Sequence, residues 1–203
     1  MREVKQPEVR KAEIVAAAKN LFMQKGYLHV TTQDIVDDLK ISRGLLYYHF
    51  KSKEDILKYI VELEAVKVET LLKKITYSDT LSAVEKVNQF IEATIIPASA
   101  DTPENRALQE TIQLQENTYM TDQIYLRMTE TMAIYFSDII EQGNKEGIFN
   151  VSNAKETSVF LMNAYLFTLN SRDFHVSDTE VARKYLSVFR DILEKALQSK
   201  YRI

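Results

Sequence analysis

An all-α fold of about nine helices is predicted, with an N-terminal helix-turn-helix followed by a larger helical domain; three features of the sequence support it. Only 4 Gly and 3 Pro punctuate 203 residues, which leaves few breaks and favours long helices over many short strands. Apolar residues recur at three- and four-residue spacing through most of the chain. Ser, Thr and Asp stand where those runs begin.

The first helix spans about Glu8 to Lys25, with Ile14, Val15, Ala18, Leu21 and Phe22 on one face and Gly26 as its stop. Thr31 and Asp34 approximate a capping box, with Asp in place of Glu, so a short second helix starts at Thr32 and carries Ile35, Val36 and Leu39. Lys40 and Ile41 interrupt that pattern. Ser42 then offers its oxygen to the free N–H groups of a third helix, Arg43 to Phe50. Leu46 and Phe50, four residues apart, are placed to pack against Ile35 and Leu39. Ser52 starts a fourth helix from Lys53 to about Ile75, with Glu54 and Asp55 at the positive end of its dipole. It is too long to serve the N-terminal unit alone, which makes it the expected mechanical link between the two parts.

A fifth helix runs from about Thr80 and stops before Pro97. Thr102 caps a sixth with Pro103 at its first position. The seventh, about Asp122 to Lys145, carries Ile124, Met128, Met132, Tyr135, Phe136, Ile139 and Ile140 and leaves at Gly147. Ser152 starts an eighth helix to about Ser171, and Ser177 with Glu180 forms a capping box for a ninth that ends near Lys200. The expected domains are residues 1–53 and 54–203, with the helix from residue 53 to about 75 linking them.

The net charge of −3 is unevenly spread. Residues 1–53 hold 10 Lys and Arg against 6 Asp and Glu, a surplus of +4, and the remainder carries −7. Cysteine is absent, which excludes disulfides and thiolate chemistry. The N-terminal residues lack the apolar core of a signal peptide, and the longest apolar run, Val159 to Leu169, is interrupted by Asn163 and Thr168. A cytoplasmic protein without a membrane span is expected. His29, His49 and His175 lie far apart with no second ligand at metal spacing. Neither a phosphate loop nor a nucleophile elbow occurs, so no metal, cofactor or catalytic group is expected.

The third helix carries the chemistry. Once Leu46 and Phe50 face inward, Arg43, Gly44, Leu45, Tyr47, Tyr48 and His49 are left to face outward or sideways. Consecutive aromatic residues on an exposed helix are costly unless they meet a partner, and a DNA major groove supplies one. Arg bonds guanine O6 and N7, apolar groups touch thymine methyls, and Tyr or His reaches phosphate. Gly44 removes a side chain where the helix start approaches the duplex. Lys53, at the next helix start, combines charge with free N–H groups as a phosphate clamp. Thr31, Thr32 and Lys51 are further phosphate candidates, each of which could instead cap or solvate. The octet from Arg43 to Phe50 could alternatively dock on the protein's own second domain.

At these residues the chain resembles the TetR/AcrR family of bacterial transcriptional regulators. The matching residues are Gly26-Tyr27, Thr31-Thr32, Asp34-Ile35, Ser42-Arg43-Gly44, Leu46-Tyr47-Tyr48-His49-Phe50 and Lys51-Ser52-Lys53-Glu54. Lys40 departs from the pattern, standing where the family usually has Gly in the turn. The resemblance covers roughly the first quarter of the chain and implies a homodimer on double-stranded operator DNA with repression as the commoner mode; the two-part layout adds the expectation of a small-molecule inducer.

The last two helices offer Phe160, Leu161, Ala164 and Thr168, with Tyr185, Val188, Phe189 and Ile192, as a candidate dimer interface in a four-helix bundle. The same positions could face their own core. A flexible aromatic set, with Phe90, Tyr125, Met128, Met132, Phe167 and Tyr165, suits an apolar or amphipathic ligand, and such a stripe also suits a packed core. Gln109, Gln113, Glu116 and Asn117 either orient that ligand or form a solvated face. Two rival functions are a ligand-independent architectural or division-control DNA-binding protein, which has many sites and no inducer, and an all-helical enzyme or carrier, which shows no salt-sensitive DNA association.

Overall fold

The computed structural model describes residues 6–94, 115–169 and 179–203. Among these residues lie eight α-helices and no strand: α1 Pro7–Lys25, α2 Thr32–Leu39, α3 Arg43–His49, α4 Lys53–Thr76, α5 Ala83–Thr94, α6 Thr118–Lys145, α7 Ala154–Leu169 and α8 Thr179–Leu197. One 3-10 turn, Gln115–Asn117, leads into α6. The expected sixth helix, with Thr102 and Pro103, and the cap Ser177 fall outside the described residues.

Three boundaries differ by three or four residues from the sequence expectation, each for a local reason. The fifth helix starts at Ala83 rather than Thr80 because Ser82 and Glu85 close a capping box. Ser82 donates its N–H and hydroxyl to Glu85 Oε2 at 2.8 and 2.7 Å, and the Glu85 N–H returns to Ser82 Oγ at 3.4 Å. The expected seventh helix, α6, begins four residues early, on the turn at Gln115–Asn117. The last helix ends at Leu197 rather than near Lys200, because Gln198 adopts a positive φ of 48°.

The described residues fall into two compact units, one within Met1–Glu64 and Leu108–Ile124, the other within Ala65–Ala107 and Tyr125–Ile203. The core of the first contains the predicted face of α1 together with Ile35, Leu46, Phe50, Ile56 and Ile60. Each Val, Leu, Ile or Phe side chain among them contributes roughly 1.5–3 kcal/mol on burial. Residues 115–124 belong to this unit, with Met120 in its core and Ile124 packed against it. The Tyr27 N–H donates to Asn117 Oδ1 at 2.8 Å, and the Leu28 N–H to the Glu116 carbonyl at 3.3 Å. The Tyr119 ring stacks on Tyr27 at 5.7 Å, and Met120 is buried. Asn117 is therefore not part of a solvated face: it is fully buried, and its Oδ1 satisfies a loop amide.

The second unit has its own core, including Leu72, Val87, Phe90, Met132, Phe136, Ile139, Leu193 and Leu197. Lys86 is buried here as well, its Nζ donating to the Thr76 carbonyl at 2.7 Å and Gln142 Oε1 at 2.6 Å. A buried ammonium persists only with such partners.

Candidate nucleic-acid interface

The turn between α2 and α3 is fixed from both sides. Thr31 Oγ1 accepts the Asp34 N–H at 3.2 Å, and Asp34 Oδ2 accepts the Thr31 N–H at 2.8 Å, which completes the predicted capping box. Lys40 ends α2 in the left-handed region at φ 51°, the position where glycine fits without strain. The turn thus forms despite the departure from the family pattern. The Ile41 N–H still reaches the Val36 carbonyl at 3.1 Å, and Ser42 Oγ accepts the Leu45 N–H at 3.3 Å. Leu46 and Phe50 are buried, as α3 requires.

What remains outward on α3 is Arg43, Gly44, Tyr47 and Tyr48, with Leu45 and His49 half-buried. Tyr48 is 74% exposed, and its ring makes a T-shaped contact with that of His49 at 4.9 Å. The Tyr47 hydroxyl lies 3.3 Å from Thr32 Oγ1. Arg43 Nε donates to Gln33 Oε1, and Gln33 Nε2 donates in turn to Asp37 Oδ1 at 2.5 Å. Gly44 has no positive φ, and a Cβ built there meets nothing within 4 Å. Nothing in the protein's own packing demands glycine at that point.

The candidate phosphate contacts are differently committed. Lys51 is exposed, and its N–H is held by Asp55 Oδ2 at 3.1 Å. Lys53 Nζ donates one of its three N–H groups to the Tyr27 carbonyl at 2.9 Å and lies over the Tyr27 ring at 4.3 Å. The Thr31 hydroxyl gives its proton to Asp34 Oδ2, so its local role is the cap. Hydrogen bonds from Thr31 hold the Asp34 carboxyl below its ordinary value. The Tyr27 hydroxyl is pushed up to about 12, by burial first and by nearby Glu54 second.

The candidate ligand residues divide. Phe90, Met132 and Tyr165 lie in the core of the second unit, with Tyr125 and Met128 packed against it. The Tyr165 hydroxyl is buried beside Thr94 without a well-formed hydrogen bond among the described residues, and burial raises its pKa. Glu116 is not with them. Its carbonyl and side chain belong to the first unit, where Oε1 lies 4.0 Å from His29 Nε2. Gln113 lies outside the described residues.

The candidate interface residues divide too. Phe160, Ala164, Tyr185, Val188 and Ile192 are exposed, and Thr168 is half-buried with its hydroxyl on the Ala164 carbonyl at 2.7 Å. Leu161 is buried in the core, and Phe189 stacks on Tyr165 at 4.8 Å. Phe167, read from sequence as a pocket residue, is instead 80% exposed. With Phe160 and Ala164 it forms an outward stripe on α7.

A family model described as bacterial regulatory proteins, tetR family, matches residues 14–60, and one described as tetracyclin repressor-like, C-terminal domain, matches residues 101–192. The HTH-type transcriptional regulator QacR of Staphylococcus aureus is 26% identical over 165 residues, 76% of this chain and 81% of that one. The HTH-type transcriptional repressor KstR2 of Mycolicibacterium smegmatis is 28% identical over 71% of this chain and 69% of that one. Among solved structures, Salmonella enterica GusR superposes with a TM-score of 0.67 at 19% identity, covering 96% of this chain and 98% of that one. E. coli NemR in its reduced form gives 0.65 at 15%, covering 90% and 97%. At such identities the structures speak for the fold alone.

Proposed function

The chain belongs to the TetR family of bacterial regulatory proteins, and from that premise we propose that it is a ligand-responsive repressor that binds a palindromic operator as a homodimer in the cytoplasm. The outward face of α3 carries this assignment. Arg43, Tyr47 and Tyr48 stand exposed on a seven-residue helix whose inner face is locked by Leu46 and Phe50, the arrangement a recognition helix needs in the major groove.

In the proposed complex Arg43 bonds a guanine, while Leu45, Tyr47 and Tyr48 meet base edges, thymine methyls and sugar-phosphate. Thr32, His49, Lys51 and the remaining N–H groups of Lys53 take phosphates, and Gly44 allows close approach. DNA binding resides in residues 1–53. Residues 54–203 hold the exposed stripes of α7 and α8 that pair two subunits, and the aromatic and methionine set around Tyr125, Met128 and Tyr165 that receives an apolar or amphipathic inducer. The inducer acts by shifting α4, which runs unbroken from Lys53 to Thr76, and so spoils the spacing of the two recognition helices. A differential affinity of about 100-fold between two states supplies about 2.7 kcal/mol of coupling.

Selection of genomic fragments by the purified protein at physiological salt tests this, beside a Tyr47→Ala, Tyr48→Ala double variant. Enrichment of a few palindrome-bearing fragments by the unaltered protein alone is expected. Failure to enrich any fragment, with folded dimer in hand, would remove the operator from the proposal.

A further inference from the structure

The hydrogen bonds behind α3 form a directed chain. Asp37 Oδ1 is a carboxylate oxygen and accepts only, so the Gln33 amide must turn its NH2 toward it. That orientation aims Gln33 Oε1 at Arg43, where it accepts from Nε. Arginine meets a guanine edge with two parallel donors, either Nε with one Nη or the two Nη together. Because Gln33 occupies Nε, the pair of Nη groups is what Arg43 presents outward. No other hydrogen-bond partner of Arg43 occurs among the described residues.

We propose that Gln33 is a positioning residue for base recognition: it braces Arg43 for an end-on contact with one guanine in each half-site and sharpens the preference for that base without touching DNA itself. The inference rests on α3 being the recognition helix. An unbraced arginine loses rotamer freedom when it binds, whereas a braced one has lost much of it beforehand, and the penalty for misalignment with a wrong base is correspondingly sharper. The neighbouring residue follows the same plan, since Thr32 Oγ1 lies 3.3 Å from the Tyr47 hydroxyl. The first turn of α2 thus holds two side chains of the reading face from behind.

Selection from a random duplex library by the full chain tests the proposal, using the unaltered protein, Gln33→Met, Arg43→Ala, the double variant and Gln33→Glu. Gln33→Met keeps the length of a half-buried side chain and removes the amide. The unaltered protein is expected to enrich a palindrome with guanine at one position per half-site, and Arg43→Ala to lose that preference. Gln33→Met should weaken the preference at the same position by about ten-fold, leave other positions unchanged, and add nothing to Arg43→Ala. Gln33→Glu, which keeps an acceptor for Nε, should retain the preference while its charge lowers affinity for every sequence. A Gln33→Met effect at a different base, an equal loss on all sequences, or no effect would overturn the positioning role. An unaltered protein that enriched no sequence would instead overturn the assignment of α3 on which it rests.

Discussion

Gly44 separates what the fold needs from what a partner needs. Glycine inside a helix costs roughly 0.5–1 kcal/mol relative to alanine, and here neither φ nor packing calls for it. Gly44→Ala should therefore raise folding stability by about that amount in urea titrations while weakening operator binding. A variant that gained stability and kept full affinity would show that α3 does not approach DNA closely at this point. Arg43, Tyr47 and Tyr48 were legible in the sequence because an exposed aromatic pair beside buried Leu46 is a local contradiction. Gln33 and Asn117 were not legible, since their partners lie ten and ninety residues away and no periodicity links such positions. Asn117 makes the stronger structural claim. Removing a buried acceptor leaves the Tyr27 N–H unmet, so Asn117→Ala should cost about 1–3 kcal/mol in equilibrium unfolding, and an unchanged midpoint would mean the amide has another acceptor.

At the scale of elements, caps decided most boundaries, and the capping boxes at Thr31 and Ser82 show why one was foreseen and the other was missed. Thr31 precedes a sharp amphipathic run, whereas Thr80 and Ser82 both stand before the fifth helix and only the Glu85 contacts choose between them. The start of α6 was hidden differently: of Thr118 to Thr121 only Met120 enters the first unit's hydrophobic core, and Tyr119 is 50% exposed, so one apolar position is all that marks the helix before Asp122. The α2 box also makes a pH prediction. Asp34 has its carboxyl pKa lowered below 3.8 by the Thr31 hydroxyl and backbone N–H. A lowered carboxyl pKa adds stability that is complete above the unfolded value and is lost as pH falls through the folded one. Stability of the unaltered protein should decline more steeply below pH 3.8 than that of Asp34→Asn, and at neutral pH the variant should be weaker by roughly 0.5–1 kcal/mol. Parallel acid titrations followed by circular dichroism would distinguish these curves, and coincident slopes would mean that the cap is not formed in solution.

For the whole molecule, the family fold was legible because most of the described helices announce themselves locally, while the outward faces of the last two helices were only half legible. The sequence offers Leu161 and Phe189 as well as Phe160 and Val188 for pairing, since helical periodicity does not say which of two apolar faces looks inward. The structure divides them: Leu161 and Phe189 join the core, and Phe160, Phe167, Val188 and Ile192 remain exposed, Phe160 at 78%. Apolar surface of this kind, repeated on two helices, is what a two-fold interface buries. Symmetry then doubles the effect of any change, because a charge placed on one subunit meets its own copy near the axis. Phe160→Asp with Val188→Asp should therefore yield a monomer in sedimentation, with helix content retained because neither side chain contributes to the core. Each half-site would then have to be bound independently, so operator affinity should fall by about 100-fold or more, while affinity for an isolated half-site should hold. If the double variant stayed dimeric, or lost half-site and full-operator binding together, pairing through α7 and α8 would be the wrong account of how two recognition helices are held roughly 34–36 Å apart.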